Sequence, residues 1–339
     1  MRILVVWPGA SWATADVARG WADGLEQAGA DVVRFRLDQR IEWLERHLTE
    51  DECRAPDAAK RVRYQAAESL AGALYEHRPD LTVVVDGKDI PPDVWQRIRA
   101  RGERVALVHT EAPYEMGRIE SMHWCADVHL VNDPVGVEPL LKHTPHAFYA
   151  PHSYYPAVHY PEDKPKDHEV VFVGSGFAGR AAFLGAVDWQ TVGRLTLAGH
   201  WRSPGAELPD HLAPFVADLP EPLPNAQTAH LYRTSKVGLN LYRTDHVEDA
   251  AADGWAVGPR EVEMAACGLF FLRQPRPEGD ALFPMLPTFD SPEELTDLAA
   301  WWLAHDDARE EAAAAARSAV ADRTFERLAA TLLRRLILT

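Results

Sequence analysis

The chain has 339 residues, and 35 Lys and Arg stand against 51 Asp and Glu for a formal charge of −16. That length exceeds one ordinary core and predicts two domains, each able to bury a sheet between helices, while the acidic balance argues weakly against a polyanion-binding surface. The three cysteines, Cys53, Cys125 and Cys267, form no CxxC pair, which excludes a disulfide framework or zinc ribbon and predicts a reducing, cytoplasmic setting. No apolar run is long enough to cross a bilayer, and the amino terminus reads as a strand and turn, not a signal peptide.

In the first half, strand-like apolar runs alternate with amphipathic helical stretches: ILVVW, a helix over 12–28, DVVRF, a helix over 56–77, LTVVVDG, a helix over 91–101, RVALVHT and DVHLVND. Such alternation predicts a parallel sheet covered by helices. The loop WPGASW after the first strand offers Gly9 and Ser11 as backbone and hydroxyl donors to an acceptor or a phosphate, or forms an ordinary βα turn with a helix cap. VALVHTEAPYE places His109, Thr110 and Glu111 directly after a strand, where chemistry usually sits in such sheets. A lone histidine serves as readily as a structural hydrogen-bonder. Eight histidines fall between positions 109 and 168, none at the spacing of a helical metal site, and no Asp-x-Asp pair occurs, so no metal is expected. RFRLDQR (34–40) and AKRVRY (59–64) could build a local basic rim for nucleic acid, or lie as solvated surface.

Residues 150–168 are rich in proline and poor in periodicity, the best candidate for a linker. The pattern then restarts with EVVFVGS, a helix near 178–187, RLTLAG, a helix near 224–234, KVGLNLY, a helix over 259–267 and LFFL, and from Ser291 it is helical to Thr339 with breaks near Asp306 and Asp322. A second parallel sheet is expected, with domains at 1–158 and 169–322, a linker at 159–168, and a terminal helix at 323–339 that packs back on the first domain. Ligands are expected between the domains, outside the carboxyl ends of the strands.

VVFVGSGFAGR holds Gly174, Gly176 and Gly179 in the GxGxxG spacing between a strand and a helix, the context of a dinucleotide fingerprint. The acidic residue that should follow about 20 positions later to hold a ribose is missing, and Asp188 falls too early. The turn reads either as a purely structural one or as a phosphate-approaching one involving Gly174 and Ser175, with Arg180 as a nearby cation. Trp201 and Phe177 are candidates to stack on a base. Lys236 lies at or inside an apolar strand, where a lysine is usually an edge or snorkelling residue. In GPREVEMAACGLFF, Gly258 and Pro259 suit a helix start and Gly268 its end. Arg260 sits where a cation is disfavoured, near the positive helix terminus, which hints at a ligand.

VVFVGSGFAGR, YRTSKVGLNLY, GPREVEMAACGLFFLRQPRPEGDALFP and the helical tail, in this order and spacing, resemble the CgeB-like (spore-maturation type) branch of the GT-B glycosyltransferases over most of residues 170–335. The first half resembles that family only loosely, through VHTEAP and the LVND…YAPHSYYPAVHYP approach to the linker. The resemblance implies an α/β GT-B fold: two Rossmann-like doubly wound domains facing each other across a cleft, with a helical tail. It implies a nucleotide-sugar donor, most often a UDP-sugar, held by the C-terminal domain and an acceptor held by the N-terminal one, with no resident cofactor. The glutamate matching Glu263 would grip the ribose hydroxyls, and Lys236, Arg260 or Arg180 would face the diphosphate.

In the wider retaining group a first glutamate stands eight positions before the second; here that position is Trp255, with Asp253 and Glu248 nearby. Under a retaining outcome, the expected one, His109 would line the donor sugar; under an inverting one, His109 or Glu111 would take the acceptor proton. The acceptor class is open between small molecules, glycans and the hydroxymethylated bases of phage DNA. The alternative readings are a nucleotide-sugar epimerase of the same fold, a non-catalytic nucleotide-sugar binder, and an NAD(P)-dependent oxidoreductase using Gly174, Gly176 and Gly179.

Overall fold

The computed structural model describes residues 1–9, 13–202, 208–244 and 254–338. The chain divides into two compact units, Met1–Pro151 with Phe325–Thr339, and His152–Thr324. The first unit is built on a six-stranded sheet of β1 (Arg2–Val6), β2 (Asp31–Phe35), β3 (Leu81–Val85), β4 (Arg104–His109), β5 (Val128–Val131) and β6 (Ala147–Tyr149). The order is β2-β1-β3-β4-β5-β6 and every pairing is parallel. The apolar runs form strands because helices cover the sheet on both faces: all five residues of β3 are buried, whereas the edge strand β2 is only partly so.

The helix Ala13–Gln27 packs against Phe325–Leu338, the last helix of the chain. Two glycines make that seat. A Cβ at Gly20 would lie 2.3 Å from the Phe325 ring, and one at Gly24 would lie 2.5 Å from the Phe325 carbonyl oxygen. Arg104 on β4 donates to the Leu336 carbonyl at 2.9 Å, satisfying a terminal acceptor of the same helix.

The second unit holds a four-stranded parallel sheet of β7 (His168–Val173), β8 (Leu195–Ala198), β9 (Ser235–Asn240) and β10 (Phe270–Arg273) in the order β10-β9-β7-β8. Its core joins the strands to Val262, Met264 and Ala265 of the helix Pro259–Ala266 and to Leu295, Ala299 and Ala316 of the two helices Pro292–Ala304 and Asp306–Ala319. The breaks expected near Asp306 and Asp322 separate these helices and the last one. Residues 159–168, the expected linker, lie within this unit and are tied to it: Lys166 donates to the Arg233 carbonyl at 2.8 Å, and Arg233 donates to the Val158 carbonyl at 3.0 Å.

In each sheet the first strand lies inside, with the second strand on one side and the third on the other. That is the topological switch point of a doubly wound sheet, where loops leave in opposite directions and open a place for a ligand at the carboxyl ends. In the first unit it lies after β1 and β3, and in the second after β7 and β9.

Candidate functional site

At the second switch point the turn after β7 is held to the turn after β8. Gly174 N–H donates to the Ala198 carbonyl at 2.9 Å, and Gly176 N–H to the His200 carbonyl at 2.8 Å. Added Cβ atoms show why glycines stand there: at Gly176 one would meet the Trp201 ring at 2.6 Å, and at Gly199, with φ of 105°, one would meet the Gly174 carbonyl oxygen at 2.5 Å. The glycine spacing thus serves close turn-to-turn packing, and these two amides already have acceptors. Trp201 is fully buried, edge-on to Phe172 at 5.9 Å between ring centroids, and is a core residue, not a base-stacking one.

Arg180, in the first turn of the helix Ala178–Gly185, bridges the two switch-point loops. Its Nε and Nη2 donate to the Leu241 carbonyl at 3.1 and 2.8 Å, and its Nη1 to the Ser175 carbonyl at 3.4 Å. Half-buried Phe177 lies between two guanidinium groups, those of Arg180 at 5.5 Å and Arg243 at 4.7 Å from its ring centroid. Arg243 follows β9 and drew no notice in the sequence, since a charge beyond a strand is ordinarily solvated surface.

The helix Pro259–Ala266 starts as its sequence demands, with Gly258 as N-cap, Pro259 in the first turn and the Glu261 carboxyl reaching back to the Gly258 N–H. Glu261 is fully buried; its Oε2 accepts from Gly258 N at 2.6 Å and from the Tyr242 hydroxyl at 2.5 Å. Burial pushes its carboxyl up to about 7 against the opposing pull of these bonds, Arg273 and Arg276. One turn on, Arg260 Nη1 donates to Glu263 Oε2 at 2.7 Å and also bonds the buried Tyr232 phenol. The misplaced cation is therefore stabilised by side chains and not by the helix dipole. Glu263 is 9% exposed, and its Oε1 lies 3.9 Å from His159 Nε2.

Lys236 stands apart from this group. It is the second residue of β9, beside the register pair Ser235–His168 at the amino end of the sheet, and its charge acts on Asp306. Four residues of strand, about 13 Å, separate it from the carboxyl end of β9. The sequence places a lysine in a strand, but the strand's direction decides which end it serves.

In the first unit, Gly9 follows β1 and an added Cβ there would lie 2.4 Å from the Asp89 carboxylate; Ser11 lies outside the described residues. His109 ends β4 and is 2% exposed. Its Nε2 faces His129 Nδ1 at 2.9 Å, and His129 Nε2 faces the His123 carbonyl at 3.0 Å. A carbonyl can only accept, so His129 carries its proton on Nε2, its Nδ1 accepts, and His109 donates from Nε2. Desolvation first, then His129 and Arg118, hold His109 well below the usual imidazole range, and burial pushes His129 down to about 4. Both rings are neutral. Glu111, on the turn that follows, is half-buried. That turn is pinned by Asn132, whose side chain accepts from Ala112 N at 3.0 Å and donates to the Ala112 carbonyl at 2.8 Å.

Beyond β3, Asp86 is fully buried in the left-handed region at φ 64° and pairs with Arg118 at 2.8 Å and Lys88 at 3.3 Å. An aspartate tolerates that backbone better than most residues, which only the coordinates reveal. Two of the three arginines of 34–40 are paired as well, Arg34 with Glu26 and Asp23 and Arg36 with Asp38, at 2.5 to 2.7 Å, while exposed Arg40 lies over the Phe35 ring. Lys60, Arg61 and Arg63 are exposed on the helix Ala58–His77, where Arg63 lies 3.4 Å from Asp89. Among the described residues no group of three or more His, Cys, Asp or Glu could hold a metal ion, and no helix is long and apolar enough to cross a membrane.

Residues 180–334 match the family model described as glycosyl transferase-like. No curated protein matches the sequence. Among solved structures the chain is similar to an alpha-glucosyltransferase in complex with UDP and a 13-mer DNA containing an HMU base, at 10% identity and a TM-score of 0.66 over 100% of both chains. It is similar to a UDP-forming alpha,alpha-trehalose-phosphate synthase from Burkholderia xenovorans, at 13% identity and a TM-score of 0.58 over 100% of this chain and 99% of that one. It is also similar to a structure provisionally identified as a UDP-N-acetylglucosamine 2-epimerase from Listeria monocytogenes, at 14% identity and a TM-score of 0.62 over 99% and 95% of the two chains. The fold is GT-B, as expected from the sequence, and residues 180–334 form a glycosyl transferase-like domain.

Proposed function

We propose that this enzyme moves a sugar from a UDP-sugar to an acceptor hydroxyl without a metal, and that it is of the CgeB-like type. The observation that carries the reading is the Arg260–Glu263 pair on the helix that follows β9, backed by Tyr232 from the helix Asn225–Arg233 that precedes it. Glu263, its Oε2 already oriented by Arg260, accepts the two ribose hydroxyl protons of the donor, and a carboxylate is the natural partner for a vicinal diol. Arg260, Arg180 and Arg243, with the amino ends of the helices Ala178–Gly185 and Pro259–Ala266, face the diphosphate. Fixed cations and dipoles there stabilise the charge that gathers on the leaving group in the transition state, the work a metal does in other enzymes.

In the first unit, Gly9 and Ser11 belong to the acceptor or phosphate loop. Of the two candidates for acceptor chemistry, Glu111 suits the general base, because protonating His109 would put a charge in a desolvated place where its Nε2 is already engaged. His109 suits the uncharged lining of the donor sugar that a retaining reaction calls for. The acceptor is a small molecule or a glycan: carboxylates offset two of the three arginines of 34–40, and the chain as a whole carries a formal charge of −16.

Incubating the protein with UDP-sugars and no acceptor, followed by proton and phosphorus NMR, tests the reaction class. Slow release of UDP and free sugar is expected. An epimerised donor, or a donor left unchanged across a full panel of nucleotide sugars, would sink the proposal.

A further inference from the structure

His159 belongs to the proline-rich stretch between the sheets, yet it is 2% exposed and faces the carboxylate assigned above to the donor ribose. Its ring is fixed at both nitrogens. Nδ1 accepts the backbone N–H of Tyr155 at 3.3 Å, so the ring proton resides on Nε2. Nε2 then donates to Asn225 Oδ1 at 3.1 Å, and the same N–H edge lies 3.9 Å from Glu263 Oε1. Arg260 holds the other oxygen, Oε2, at 2.7 Å. The Glu263 carboxylate is thus flanked by a cation on one oxygen and by a neutral N–H dipole on the other. The neutral partner matters, because a second full cation would compete with the ligand's hydroxyl protons for the same lone pairs, whereas a more distant N–H orients the group and leaves them available.

We infer that His159, oriented by Asn225, is a positioning residue for the ribose-binding carboxylate of Glu263. The inference rests on the proposed role of Glu263 and adds to it a residue from the proline-rich approach to the second sheet, remote in sequence from the helix that carries Glu263. A side chain that only fills the core affects every ligand of the unit alike. One that aims the carboxylate at the ribose affects only ligands carrying ribose hydroxyls.

The test is a calorimetric comparison of UDP with 2′,3′-dideoxyuridine diphosphate on the full-length wild type, His159→Phe, His159→Gln and Glu263→Ala. Wild type is expected to favour UDP by about 100-fold, the lower end for two hydroxyls bonded to a charged acceptor. In H159F the preference shrinks by about fivefold or more while dideoxy affinity stays within about twofold. H159Q, whose amide nitrogen can stand where Nε2 stood, recovers most of the preference. Equal weakening of both ligands in H159F, or an unchanged preference, overturns the inference while leaving the Glu263 reading intact. A wild type that does not distinguish the two ligands overturns both. If H159F does not fold, Asn225→Ala is the substitute, since residue 225 is half-buried at a helix start. It is expected to narrow the preference about threefold, and no change there counts against the inference.

Discussion

Replacing Glu263 by alanine is expected to weaken nucleoside diphosphate binding by roughly 100-fold, the equivalent of about 3 kcal/mol for two hydrogen bonds to an ionised acceptor after exchange with water. The same change removes the carboxylate from Arg260, whose guanidinium keeps its bond to the Tyr232 phenol. Arg260 then gains freedom to pair with phosphate instead, so the loss should be smaller for the diphosphate than for the free nucleoside. Glu263→Gln keeps one carbonyl acceptor and should fall between alanine and wild type. Because Glu263 is buried, at 9% exposed, and ion-pairs with Arg260, its removal should also lower the melting temperature, so binding and stability are measured side by side. Undiminished affinity for every nucleotide would remove Glu263 from the donor site.

The second large effect concerns pH. Glu261 has an ordinary carboxyl value of 4.5 and is pushed up to about 7 by burial. A folded value above the unfolded one means that the native state holds the proton more tightly between them. This group's contribution to stability is therefore complete below about pH 4.5 and is lost as pH rises through about 7, on the order of 3 kcal/mol across the interval. Tyr242, which donates to the same carboxylate, and Arg273 and Arg276 act on it from the surrounding loop and strand. Buried His129, pushed down to about 4, works in the opposite sense, since its neutral form is favoured on folding and its contribution grows as pH rises from 4 toward 6.5. The net curve mixes these with His109 and His152, which burial also holds below the usual imidazole range, and the difference between wild type and Glu261→Gln isolates the carboxyl. Denaturant unfolding at several pH values should give a wild-type stability that declines, relative to the glutamine variant, between pH 5 and 8. Parallel curves would mean that Glu261 does not titrate in this range.

The alternation of apolar runs with amphipathic stretches gave both sheets, because a strand buried on two faces, such as Leu81–Val85, is apolar without interruption. The elements that went unread are those without such a signal. β6 is only the three residues Ala147–Tyr149, and the helix Leu37–Arg46 hides in a charged segment whose buried face is carried by Leu37 and Ile41. In the candidate site, Arg260 stood out because it sits where the helix dipole disfavours a cation, whereas Glu263 was singled out only through the family resemblance. His159, Asn225 and Tyr232 were not legible, since each acts through proximity to a helix distant in sequence. Lys236 and Trp201 show the converse: residue type suggested chemistry, but strand direction and turn packing decide what a side chain can reach.

The most direct measurement is a crystal structure of the protein soaked with UDP. The account predicts a nucleotide at the carboxyl ends of β7 and β9, with both ribose hydroxyls about 2.6–2.9 Å from the Glu263 carboxylate and the diphosphate beside Arg260 and the helix that begins at Pro259. A nucleotide bound elsewhere, or one whose ribose turns away from Glu263, would contradict it.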